Sequence, residues 1–327
     1  MSGYVLTWRS AGDAGALDGS ILRPDTLGAL SRDELLAGPV GKCFEVEGEP
    51  GDKLVIVNAP PLDRVAEGMQ GGALVIEGSV GNGLGSSMTD GKIVVTGSAG
   101  GRVGAGMQGG AIVVEGDAGD DSGASMTAGN IVISGSAGDR AGAKMQSGAL
   151  VIEGDAGDDL GASMIAGRIV VSGSAGNRAG GPAPQADRGM RGGEIVIHGN
   201  AGEQTGLMMR RGLIAVAGTC GSLPGYRMLA GTIVIGTGPL ERPGLEMRRG
   251  TIACFDASAD HTLGKYVAVD GTFEAASLTA VGLVRRRLEQ IGFESESLGD
   301  PTHYTFYSGD RFELNKGELW LATPSRV

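Results

Sequence analysis

Two arginine pairs are the first residues whose type and spacing suggest chemistry. Arg210-Arg211 and Arg248-Arg249 each directly follow a methionine, Met209 and Met247. Neighbouring guanidinium groups present N–H donors in a fixed fork, which suits carboxylate-rich ligands or an acidic protein face. Between residues 178 and 250, nine arginines face only five acids (Asp187, Glu194, Glu203, Glu241, Glu246), a local +4 in a chain of net charge −11. Arg210, Arg211, Arg248 and Arg249 are therefore the candidate binding residues, for an acidic ligand arm or an acidic partner.

Other chemistry finds less support. Gly116-Asp-Ala-Gly-Asp-Asp121 and Gly154-Asp-Ala-Gly-Asp-Asp159 have the carboxylate density that calcium prefers. The calcium-binding β-roll repeats every nine residues, however, whereas these corners recur at a wider interval with Arg140 between them. His198, His261 and His303 form no HExxH-type pair, and no serine sits in a nucleophile-elbow context. Cys43, Cys220 and Cys254 have no CxxC spacing and read as small buried hydrophobes in a reducing compartment. No strand-like run leads into a GxxxxGK[ST] loop. The expectation is no catalytic residue and no metal ligand in this chain.

The elements that must hold the arginines follow from periodicity. Methionines stand at 69, 88, 107, 126, 145, 164, 190, 209, 228 and 247, in steps of 19 except for one step of 26. Five residues after each begins an apolar triplet such as Leu74-Val-Ile76, Ile131-Val-Ile133 or Ile233-Val-Ile235. Glycines recur at fixed offsets (Gly78, Gly81 and Gly85, then Gly97, Gly100 and Gly104), where they can supply positive φ at tight corners. Nineteen residues are too few for a βαβ crossover. Stacked as parallel coils about 4.8 Å apart, the units pair every triplet with those above and below and bury one aliphatic column. The methionines fill its interior.

Arg102, Asp121, Arg140, Asp159 and Arg178 occupy one coil position and form a ladder of alternating charge, while Glu77, Glu115 and Glu153 alternate with Thr96, Ser134 and Ser172. Such ladders oppose slippage by one coil. The fold class is all-β: a right-handed parallel β-helix of about ten 19-residue coils, with an N-terminal cap and a small α+β C-terminal tail. Residues 1–53 form the cap, 54–255 the β-helix and 256–327 the tail.

In the cap, Ser31-x-x-Glu34 predicts a capping box on a short helix that Gly38-Pro39 ends. In the tail, Leu278, Val281, Val284, Leu288 and Ile291 share one helical face with Gly292 as the stop. A hairpin is expected there, Phe312-x-Leu314 and Leu319-x-Leu321 flanking Asn315-Lys-Gly317. The tail either lies along the solenoid or docks on a partner. The longer step between Met164 and Met190 inserts 181–188 at a glycine corner, a place suited to interactions. The acidic balance argues against nucleic acid. No signal peptide or membrane span is seen, which predicts a cytoplasmic protein.

The repeated Met-x-x-Gly-x-Ile-Val-Val-x-Gly-x-Ala-Gly pattern resembles the β-helix at the C-terminus of the glutamate synthase large subunit. It resembles still more closely the C-type, β-helical subunit of formylmethanofuran dehydrogenase and of its bacterial relative, the formyltransferase/hydrolase complex. Gly309-Asp310 with Lys316-Gly-Glu-Leu-Trp320 is similar to that family's closing segment. The resemblance implies a non-catalytic structural subunit in one-carbon metabolism. Its partners would be an amidohydrolase-like catalytic subunit holding the metal, a formyltransferase subunit and a further structural subunit. The complex would use tetrahydromethanopterin and a methanofuran-type carrier, whose glutamate-rich arm the arginines could guide, and would release formate. A CO2-reducing formylmethanofuran dehydrogenase and a glutamate-synthase-type β-helix in an amidotransferase are the alternatives.

Overall fold

The computed structural model describes residues 2–9, 18–256, 261–263, 268–274, 279–291, 293, 303–308 and 316–323. Two compact units divide the chain, Met1–Gly154 and Asp155–Val327.

In the first unit β1 (Gly3–Trp8) is followed by the short helices α1 (Pro24–Leu27), α2 (Arg32–Ala37) and α3 (Pro39–Cys43). Then come β2 (Phe44–Gly48), β3 (Lys53–Val57), β4 (Gln70–Glu77), β5 (Asp90–Val95), β6 (Ala111–Val114), β7 (Asn130–Ile133) and β8 (Ala149–Ile152). From β3 to β8 every neighbour is parallel and in register, so Leu54, Leu74, Ile93, Ile112, Ile131 and Leu150 stack as one inward column. Parallel pairing brings identical positions together, which is why one 19-residue pattern satisfies every coil. The cap continues the rungs: β1 runs parallel to β3, and β2 closes the edge antiparallel to β1. Ser31 and Glu34 form the expected capping box on α2. Pro39 does more than end that helix, because it opens α3 at the N-terminal position where its missing N–H costs nothing.

The second unit repeats the coil in β9 (Arg168–Val171), β10 (Glu194–Ile197), β11 (Leu213–Val216), β12 (Thr232–Ile235) and β13 (Arg249–Cys254), all parallel. After β13 come β14 (Ala268–Glu274), α4 (Thr279–Gln290), β15 (His303–Ser308) and β16 (Lys316–Thr323). β16 adds parallel to β13 as one more rung, and β15 and β14 follow antiparallel. The hairpin therefore differs from expectation. Its first strand is His303–Ser308, and Phe312 and Leu314 lie outside the described residues. Gly317 is no turn residue: a β-carbon there would collide with the Met247 side chain.

All ten methionines of the repeat are buried to within 1% of full cover. Most of them are seen to interlock with the next coil. The Met69 Cε occupies the space a β-carbon would need on Gly91, Met88 that of Gly110, and Met107 that of Gly129; in the second unit Met190 and Met209 do the same at Gly212 and Gly231. At these coils the glycine three residues after one methionine is thus the socket for the methionine before it.

Glycine plays two parts at the corners. Gly97 and Gly100 lack positive φ and are glycine because a β-carbon would strike the backbone of the coil beneath, at Gly78 and Gly81. Gly78, Gly85 and Gly104 carry the expected positive φ, and the charged ladder residues carry it as well, with Arg102, Asp121, Arg140, Asp159 and Arg178 all between +57° and +63°. The ladder resolves into discrete pairs: Arg140 bonds Asp121 at 2.9 Å and Asp120 at 3.2 Å, and Arg178 bonds Asp159 at 2.7 Å.

Helix α4 explains a change in burial along the coils. In β6 to β9 the middle residue of each triplet faces outward and is half-buried; in β10 to β12 it is fully covered. Val281, Leu288 and Ile291, with Phe293, Tyr304 and Trp320, pack on Val196, Ala215, Val234 and Ala253, and Val284 lies beside them. Arg287 pairs with Glu194, and Arg168 donates to the Ile291 carbonyl at the helix end. The expected apolar face is real; Leu278 and Gly292 lie outside the described residues.

Candidate functional site

Each methionine ends a corner, and the next residue begins the approach to the strand. The N–H of Arg191 donates to the Met164 carbonyl, that of Arg210 to Met190, that of Leu229 to Met209 and that of Arg248 to Met228, all at 2.7–2.9 Å. These bonds stack the residues after methionine as one row, about 4.8 Å per coil. Arg211 and Arg249 occupy the adjoining position two coils apart, roughly 10 Å by the same spacing.

The structure brings the four predicted arginines to one corner of the second unit and adds two cations. Arg191 shares the row, and Lys316 pairs in register with Arg249 where β16 joins β13. All six side chains are exposed. Arg191 was within reach of the sequence, since it follows Met190 as Arg210 follows Met209. Lys316 was not, because its place depends on a strand pairing across the tail.

The other arginines of this segment are held locally: Arg178 by Asp159, Arg188 by Asp187, Arg227 by Glu246 and Arg242 by Glu241. Among the described residues, Arg191, Arg210, Arg211 and Arg249 make no ion pair. Exposed guanidinium groups gathered at one corner can bind a polyanion or an acidic face, each contact charge-assisted and screened by salt.

The remaining candidates for chemistry have structural employment. Asp117 and Asp120 accept the N–H groups of Ser136 and Asp139 on the next coil at 2.7 and 2.9 Å, and Asp155 and Asp158 accept those of Ser174 and Asn177 at 2.7 Å. The acidic corners thus satisfy backbone donors that coil stacking leaves over. Among the described residues no group of three or more His, Cys, Asp or Glu is placed to hold a metal ion. His198 stacks on Phe293, and the His261 Nδ1 accepts the Leu240 N–H. Burial pushes the Cys220 thiol up to about 12 and the Cys254 thiol up to about 11, so neither is a ready thiolate. The 181–188 insertion is stitched to the coil below: Ala183 N–H donates to the Ser163 hydroxyl, which donates to the Arg188 carbonyl. Among the described residues, no helix is long and apolar enough to cross a membrane.

Fold and surface together define a parallel β-solenoid protein with a group of exposed cationic side chains at one corner. A chain in the crystal structure of the formyltransferase/hydrolase complex (FhcABCD) from Methylorubrum extorquens, solved in complex with methylofuran, is 30% identical to it. That match covers 98% of this chain and 100% of the other, with a TM-score of 0.51. No protein-family model matches the chain, and no curated protein does. This chain belongs to the family of that component of the formyltransferase/hydrolase complex.

Proposed function

We propose that this chain is the C-type, non-catalytic assembly subunit of a formyltransferase/hydrolase complex of one-carbon metabolism. In that role it supports formyl transfer between tetrahydromethanopterin and a methanofuran-type carrier, and release of formate. The end-to-end match to a chain of such a complex carries the reading. The commitment of the coil's carboxylates, thiols and histidines to structure is what a scaffold requires. Chemistry then belongs to cytoplasmic partner subunits: an amidohydrolase-like one with the metal, a formyltransferase and a further structural subunit. The row around Arg210, Arg211, Arg248 and Arg249 guides the carboxylates of the carrier arm or of a partner.

Native mass spectrometry of the tagged chain from its own cells tests the reading. Co-purification of formyltransferase and metal-dependent hydrolase subunits is expected; a bare chain, or one with glutaminase or flavin subunits, refutes it. Replacing Arg210, Arg211, Arg248 and Arg249 with alanine is expected to raise the complex's KM for the carrier, more at low salt than at high, with assembly intact. Unchanged kinetics removes the carrier role from the row.

A further inference from the structure

The first unit carries an outward stripe that the second unit's own architecture explains. In register along its strands stand Val55, Val75, Val94, Val113, Val132 and Val151, the middle residues of successive triplets, and every one is half-buried. Five coil steps give a column of roughly 24 Å. Valine's fit to a strand is not the reason for it, because threonine offers the same branching to solvent. The sequence makes that distinction two residues further on: Glu77, Thr96, Glu115, Ser134 and Glu153 face the same way and are all polar and exposed. One outward position is kept apolar through six coils, and its neighbour is polar in the five from β4 to β8, with Val57 standing there in β3.

The equivalent column in the second unit is covered from β10 onward. There Val196, Ala215, Val234 and Ala253 lie beneath α4, whose twelve residues, about 18 Å long, match four coils at about 4.8 Å each. That helix meets the column with Val281, Leu288 and Ile291, and fixes its margin by a pair between Arg287 and Glu194. The same chain thus shows which element this column accepts. In the first unit the acidic residues lie along the opposite margin, two residues after the middle valines: Glu77, Glu115 and Glu153, on every second coil and so about 9.6 Å apart. Two turns of helix rise about 10.5 Å per seven residues, close enough to present a cation to each.

We propose that the valine column of the first unit is the docking face for an amphipathic helix of a partner subunit, with a lysine or arginine at about every seventh residue facing Glu77, Glu115 and Glu153. The partner is sought within the complex, so the proposal rests on the functional reading above. The experiment uses the complex purified through a tag on this chain. A photo-crosslinking residue in place of Glu115 is expected to capture a partner segment with that apolar and basic pattern. The triple variant Val94→Thr, Val113→Thr, Val132→Thr is expected to lose at least about tenfold of the same subunit, since each threonine buries a hydroxyl at the contact. Its circular dichroism and melting should match those of the parent chain. Glu115→Lys, whose exposed side chain has no part in the core, is expected to weaken the same association should the triple variant misfold. Crosslinks to a second copy of this chain, or full assembly of both variants, overturn the docking face and leave the functional reading standing. A parent chain that purifies without other subunits overturns both.

Discussion

Replacing Gly129 with alanine tests the methionine–glycine interlock directly. Gly129 has φ of +94°, and a β-carbon on it would lie 2.7 Å from Met107 Cε and 2.9 Å from the Gly110 carbonyl oxygen. The backbone conformation costs a side chain about 1–3 kcal/mol, and forced packing adds about 1–3 kcal/mol. The methionine methyl can move but the carbonyl cannot, so the expected loss is on the order of 3 kcal/mol. Met107 is fully buried, and Met107→Ala alone should cost about 2–5 kcal/mol. In the double variant the alanine methyl enters the space the methionine methyl left. The loss should fall short of the sum by about 1 kcal/mol, with the φ strain and the carbonyl contact still felt. Gly71→Ala is the internal control, because a β-carbon there meets nothing within 4 Å, and it should change stability by under ~0.5 kcal/mol. Urea denaturation followed by circular dichroism gives the energies. Hydrogen exchange resolved by coil is needed beside it, since a repeat array need not unfold in two states. Strict additivity of the two changes, or a Gly129→Ala effect as mild as the control, refutes the interlock.

Leu288→Ala empties a fully buried site between α4 and the coils and should cost about 2–5 kcal/mol, with faster hydrogen exchange concentrated in β10–β13; exchange spread evenly along the chain would contradict that. Iodoacetamide at pH 8 should leave Cys220 and Cys254 unmodified until the chain is denatured. Because burial raises both thiols above the unfolded value of 9.0, their contribution to stability is whole below pH 9 and is lost as pH climbs toward about 12 for Cys220 and about 11 for Cys254. A Cys220→Ala variant should show a flatter decline between pH 9 and 11, and an unchanged slope would refute that assignment.

What could be read from the sequence was whatever the period carried. Methionine and triplet positions recur at coil spacing, so their burial and register followed from repetition alone. The helical face from Val281 to Ile291 was legible for the same reason, as a spacing. Readings that depended on propensity were less secure. Gly78, Gly85 and Gly104 bear the positive φ that glycine usually supplies, but Arg102, Asp121 and their successors bear it too, since their side chains pair or hydrate outside the corner, while Gly97 and Gly100 are consumed by close stacking. Asn315-Lys-Gly317 has the composition of a turn, but Gly317 is needed as the socket of Met247 and so belongs to a strand. Of the cationic row, the arginines were visible through their methionines. Lys316 was hidden because only the fold carries the tail back to β13.

That return has a consequence for how the chain is made. Coils from β3 onward can stack in order as they leave the ribosome, each needing only the one before it. The rung that completes β13 cannot, because β14, α4 and β15 are all translated ahead of β16. Until synthesis reaches Lys316, the open edge of β13 remains a template for any strand that meets it. The nascent protein is therefore most exposed to mispairing late in translation, when nearly all of its coils are already in place.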